Sequence, residues 1–200
     1  MSRETEKSYC YVGTGEIVPL PKKTRPGEWF GLFTHDTVEY EGIFRRAELG
    51  LELFEVETSA NQVHFRLTRR VGIINQTALR LFMAACAEHV LDVYERARDD
   101  GAARRAISAS LEYVANGGNL TEAHRQAMFA CVDCTYDRYE VGRAMCAATF
   151  CVQHEINAFE ARFCAREAAM AVRVDKRNAE YEWQRKMFLK TIKAVAKGAQ

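Results

Sequence analysis

The stretch Gln62-Val63-His64-Phe65-Arg66-Leu67-Thr68-Arg69 alternates apolar and polar side chains, and soon after it Asn75-Gln76-Thr77-Ala78-Leu79 opens a pattern of a different period. Alternation puts Val63, Phe65 and Leu67 on one face of a strand and His64, Arg66 and Thr68 on the other. Beyond it, Leu79, Phe82, Cys86, Val90, Val93 and Tyr94 recur every three or four residues, which is one apolar stripe of a helix. The change of period near residue 72 predicts an α+β protein. A small N-terminal antiparallel sheet element (1–72) precedes an all-α bundle of about five or six helices (73–200).

Upstream of the switch, Tyr9–Val12, Trp29–Thr34, Leu51–Glu57 and Gln62–Arg69 read as strands. Ser8–Val12 and Glu16–Leu20 flank Gly13-Thr14-Gly15 as a candidate hairpin, and Leu51 and Leu53 alternate with outward Glu52 and Glu55. All three prolines, Pro19, Pro21 and Pro26, lie in this part. Downstream, Asn75 or Thr77 caps a first helix predicted to reach about Arg98, where Asp99-Asp100-Gly101 ends it. Further helices follow over 102–115, 121–138, 141–155, 158–174 and 176–196. Asn116-Gly117-Gly118 provides a sharp stop and Asn157 a boundary. Alanines such as Ala84, Ala144, Ala147, Ala148, Ala165 and Ala168 predict close helix–helix approach.

With 200 residues, 48% hydrophobic and 28% charged, the chain can bury a core. Its formal charge is +1, with 10 Lys+Arg against 11 Asp+Glu over residues 1–72 and 18 against 16 beyond, so no nucleic-acid partner is expected. No apolar run of about 18 residues predicts a membrane span, and the polar start Met-Ser-Arg-Glu-Thr-Glu-Lys lacks a signal-peptide core. The seven cysteines are an odd number set mostly in helices. They read as small buried side chains of a cytoplasmic protein.

Ala85-Cys86-Ala87-Glu88-His89-Val90-Leu91, Tyr94-Glu95, Arg104-Arg105-Ala106-Ile107, Thr121-Glu122-Ala123 and Glu182-Trp183-Gln184 with Leu189 together resemble a bacterial family of immunity proteins of polymorphic toxin systems. The resemblance covers roughly Ile73–Leu189. It implies an all-helical fold and a role in binding and neutralising a toxin, and it singles out Cys86, Glu88, His89, Glu95, Trp183 and Gln184. Residues 1–72 have no counterpart in it.

Other constellations are weighed on chemistry. Cys131-Val132-Asp133-Cys134 is a CxxC on a helix, and with Cys86 and His89 it offers four potential zinc ligands if the helices meet. Buried packing is the simpler reading, so no metal and no cofactor are expected. Cys146 and Cys151 with His154 and Glu155 lack a nucleophile elbow or an oriented base. His89 suits a buried hydrogen bond to Glu95 or to a carbonyl. Arg45-Arg46, Arg69-Arg70 and Arg104-Arg105 lie near acids, which points to ion-paired faces. Trp29, Phe30 and Phe33 anchor the sheet or bind a partner. The expected function is non-catalytic protein binding of the immunity type, with Trp29, Phe33, Arg104 and Arg105 as candidate contacts. The alternatives are an accessory protein of a phage or mobile element that binds a host defence or replication protein, and a Cys/His zinc-stabilised module or metal enzyme.

Overall fold

A computed structural model of the chain describes residues 8–12, 29–31, 49–50, 52–58, 64–134 and 139–198. The expected arm 16–20 with its glycine turn, the turn at 59–61, Arg45, Arg46 and Phe33 lie outside the described residues. The fold is α+β, in two compact units. One groups Met1–Asn75 with Ile192–Gln200, and the other is Gln76–Thr191.

The first unit holds a four-stranded antiparallel sheet of β1 (Ser8–Val12), β2 (Trp29–Gly31), β3 (Glu52–Thr58) and β4 (His64–Ile73), in the order β1-β3-β4-β2. The centre is the β3–β4 pair, in which Glu52 faces Ile73 and Thr58 faces Phe65. That pair leaves two open edges with unpaired backbone groups. Strand β1 fills one, with Ser8 opposite Val56 and Val12 opposite Glu52, and β2 fills the other, with Trp29 opposite Arg66.

Strand β3 corrects one expectation. Leu53, Phe54 and Glu55 are buried in succession, so Glu55 does not point to solvent. The cause is irregular pairing: the register shifts between Leu53 and Phe54 and again between Glu55 and Val56, which breaks the two-residue alternation. The buried Glu55 carboxylate is held by Arg69, with Lys193 at 3.8 Å.

The second unit is helical. Its elements are α1 (Gln76–His89), α2 (Leu91–Glu95), α3 (Ala102–Asn116), α4 (Thr121–Cys134), α5 (Tyr139–Cys151) and α6 (Ala158–Ala171). A 3-10 turn (Val174–Lys176) then leads into α7 (Arg177–Gly198), which belongs to this unit as far as Thr191. Helix α5 packs against α1, α2, α3, α4 and α6. Its buried face of Val141, Ala144, Met145, Ala147, Ala148 and Cys151 is small enough to let backbones approach. The Cys164 thiol of α6 donates to Ala147 O at 3.3 Å, with Met83 O at 3.4 Å. Phe82 meets Phe188 edge to face at 5.2 Å.

The punctuation follows local chemistry. Asn157 and Glu160 form a reciprocal capping box at the start of α6. Asn119 Oδ1 accepts the Thr121 N–H at 2.8 Å. Gly117, at φ +72°, ends α3 in a conformation that costs a side-chain-bearing residue more. The expected single helix to Arg98 is instead two, broken at Val90. There the Val90 N–H reaches back to Ala87 O and the Val93 N–H to Val90 O, a three-residue tightening. Val90 stays fully buried, so the apolar spacing runs on through the break. Helices α5 and α6 also stop at Cys151 and Ala171, short of the expected 155 and 174.

Arg80 is the one charged side chain among the largest fully buried groups, at 1% exposure. From α1 it donates to Cys151 O at 2.7 Å and His154 O at 3.2 Å, and it lies 4.7 Å over the Tyr113 ring. Burial lowers its pKa, but an arginine stays charged, and the last carbonyl of α5 is a partner a cation favours. No helix among the described residues is long and apolar enough to cross a membrane.

Two outcomes follow from this packing. Arg80→Met fills similar space but orphans two carbonyls, and is expected to cost about 2–4 kcal/mol in urea unfolding. Wild-type stability would contradict the role given to the guanidinium. Gly72→Ala places a Cβ 2.7 Å from Ile192 Cγ2 and 3.0 Å from Ile192 O, and the carbonyl cannot yield cheaply. A loss of about 1–3 kcal/mol is expected, and an unchanged denaturant midpoint would show that the approach is looser than described.

Candidate functional site

The residues marked by the resemblance lie far apart in sequence, but several of them meet. His89, the last residue of α1, stacks on Trp183 of α7 with ring centroids 3.7 Å apart and planes 8° from parallel. Its Nδ1 lies 2.8 Å from Glu180 Oε2. The Gln184 amide donates one hydrogen to Glu180 Oε1 and the other to Ala165 O, both at 2.9 Å. Glu180, Trp183 and Gln184 share one side of α7 because they are three and four residues apart. The buried carboxylate is thus bridged between a histidine of α1 and a glutamine that also grips α6.

Cys86 is fully buried one turn below His89. Burial raises its thiol pKa, and the field of Glu180 raises it further, so the thiol stays protonated and is no nucleophile. Glu95 takes both arms of the Arg104 fork, at 2.7 and 2.6 Å, and this bonding lowers its carboxyl pKa. Glu88 adds to the negative field around Arg104. The expected partner of His89 is therefore corrected: Glu95 is committed to Arg104, and His89 is 40% exposed rather than buried.

The four-ligand metal set does not assemble. Among the described residues no group of three or more His, Cys, Asp or Glu side chains could hold an ion. Cys86 faces Glu180 and Cys151. Cys131 meets Cys146, and Cys134 sits beside the Tyr94 phenol. Helix packing, not the CxxC spacing, decides which thiols meet. Tyr94 in turn donates to both Asp100 oxygens at 2.8 and 2.9 Å, while Asp100 Oδ1 also accepts the Ala102 N–H that opens α3. Burial first and this hydrogen bond second raise the Tyr94 pKa. Cys151 is fully buried and its thiol donates to Ala147 O, while the backbone carbonyl of His154 accepts from Arg80.

The other candidate contacts are placed as follows. Trp29 lies on β2, and Phe33 is outside the described residues. Arg105 donates to Asp100 O at 2.6 Å, so both members of the Arg104-Arg105 pair are engaged within the chain. In the sheet unit, Arg69 is held by Glu55, and Arg70 by Glu52 at 2.6 Å. With Lys193 and Lys197 these arginines rim a cavity of about 400 Å³ floored by Val71 and Ala196.

Sequence reasoning missed a second feature, on α4, α5 and α6. Phe129, Val132, Tyr139 and Phe159 are each half or more exposed, and Met128 nearly so. Arginines one helical turn away lie near the rings: Arg125 is 5.6 Å from Phe129, Arg143 4.6 Å from Tyr139, and Arg162 5.8 Å from Phe159. Tyr139, Arg143, Cys146 and Phe150 recur at helical spacing, which places them on one stripe of α5. The stripe continues to α6 through Arg143–Glu167 at 2.5 Å and through Phe150–Phe163 at 6.0 Å. The spacing of that stripe was readable, but its exposure was not.

Comparison with protein-family models, curated proteins and solved structures finds nothing that matches this chain.

The His89–Trp183 stack gives a direct test of the first cluster. A double-mutant cycle of His89→Ala and Trp183→Ala should return a coupling of about 1 kcal/mol in unfolding free energy. Additive single losses would mean that the rings are neighbours without mutual stabilisation.

Proposed function

We propose that the chain is a non-catalytic, cytoplasmic protein-binding protein of the toxin-neutralising immunity type. The observation that carries the reading is the set of half-exposed aromatic side chains on α4, α5 and α6, each with an arginine near its ring. Phe129, Tyr139 and Phe159 with their adjacent arginines have the composition of interface hot spots, where a rigid ring supplies area and a guanidinium supplies directed hydrogen bonds.

The immunity type is favoured over other binding roles by the meeting of His89, Trp183 and Gln184. Positions about ninety residues apart in the resemblance form one bonded cluster, as a shared helical scaffold requires. In this reading the cluster ties α1, α6 and α7 together, and the partner is blocked by occlusion, with no chemistry performed. The six free thiols among the described residues suit a reducing compartment.

Co-expression tests the reading. A toxic enzyme encoded beside this chain should be tolerated when the wild type is present and should co-purify with it in fixed stoichiometry. Phe129→Asp with Tyr139→Asp should keep the fold by circular dichroism and weaken the complex at least about a hundredfold, as loss of two hot-spot rings would. Undiminished binding by that variant would remove the surface from the account. A host defence or replication protein recovered in place of a toxin would move the assignment to an accessory protein of a mobile element.

A further inference from the structure

We propose that Cys131 and Cys146 form a peroxide-reactive dithiol that closes to a disulfide between α4 and α5. The pair is neither the CxxC written in the sequence nor part of the His89 cluster, and it lies at the seam of the two helices that carry the exposed aromatic surface.

The geometry comes first. The two sulfurs are 3.1 Å apart, in hydrogen-bond contact, and both residues are partly exposed, so a small oxidant can reach them. Neither cysteine is spent on the core, unlike Cys86, Cys151 and Cys164, which are fully buried. Both lie inside helices, at Thr121–Cys134 and Tyr139–Cys151. A second tie, Thr149 Oγ1 to Ala127 O at 3.3 Å one turn further along, holds the helices in register. Closing the bond therefore needs only a small side-chain rotation.

The electrostatics divide the labour. The hydrogen bond from Cys146 lowers the Cys131 pKa to about 7, with burial opposing and Thr149 assisting. The same bond and burial raise the Cys146 pKa, so its proton is retained. In the proposed oxidation Cys131 takes the role of thiolate and Cys146 that of the resolving thiol. That is the division a two-step oxidation needs, since the thiolate is the attacking form.

The step balances with a hydroperoxide as oxidant. The Cys131 thiolate attacks one peroxide oxygen, the O–O bond breaks, and the departing hydroxide or alkoxide takes a proton from solvent. Cys131 is now a sulfenic acid. The Cys146 sulfur then attacks the Cys131 sulfur. An S–S bond forms, the S–O bond breaks, and the leaving hydroxide takes the Cys146 proton as water. Two thiols lose two electrons in all, and the O–O bond gains them. The product staples α4 to α5.

The experiment treats the folded chain with equimolar hydrogen peroxide near neutral pH, then alkylates it and maps the peptides by mass spectrometry. The expected product is a single Cys131–Cys146 disulfide. Cys146→Ala should instead accumulate a sulfenic acid at Cys131 that dimedone traps, and Cys131→Ala should leave Cys146 reduced. Iodoacetamide modification of Cys131 in the wild type should rise through about pH 7. In Cys146→Ala that rise should move toward the ordinary thiol value of about 8.5. A Cys131–Cys134 disulfide, unreacted thiols, or an ordinary pH profile in the wild type would each overturn the proposal. Circular dichroism of both variants shows that the readout comes from folded protein.

Discussion

The helical unit depends on a buried charge that meets no carboxylate among the described residues. Arg80 sits at 1% exposure and is bonded to two carbonyls, one at the end of α5 and one in the connection to α6. Helix ends leave carbonyls without intrahelical donors, and a buried end needs a partner from elsewhere. By supplying that partner from α1, Arg80 fixes where α5 stops and how the chain turns into α6. Tyr113 of α3 covers the guanidinium from another side, so three segments converge on one side chain of α1. An apolar residue there could fill the space but could not quiet the carbonyls.

From that constraint the remaining packing follows. Helix α5 must run through the middle of the unit, and its run of buried alanines makes this possible without prising its neighbours apart. Close approach also explains the cysteines. At α1, α5 and α6 Cys86, Cys151 and Cys164 are small buried fillers, while at the α4–α5 seam Cys131 and Cys146 meet and are partly exposed. Large side chains that the tight interior cannot admit stand outside, along α4, α5 and α6, with arginines lying near their rings.

The sequence made some of this plain and hid the rest for identifiable reasons. The period change near residue 72, the glycine stop at Gly117 and the Asn157 cap depend on a few neighbouring residues, and each is seen where the chain signals it. Features set by partners distant in the chain were not visible. Glu55 looked solvent-facing because alternation assumes an unbroken ladder, and two register shifts break it. Arg80 drew no reading from the sequence, since nothing nearby announces carbonyls seventy residues on. The Cys131 partner could not be read because the CxxC spacing describes one helix, whereas the pairing belongs to two. Likewise His89 and Trp183 were both marked, but Glu180, which bonds to His89, carried no signal until α7 placed it one turn before Trp183–Gln184.

We propose that Arg80, the α5 alanines and the His89 cluster hold the exposed aromatic side chains of α4, α5 and α6 in fixed positions for a protein partner. Hydrogen–deuterium exchange on the chain alone and in complex with the partner that co-purifies with it reads that claim most directly. The account predicts slower exchange on binding across residues 125–132, 139–150 and 159–166, with β3 and β4 unchanged. Protection confined to the sheet unit, or to the surface around Arg104 and His89, would contradict it.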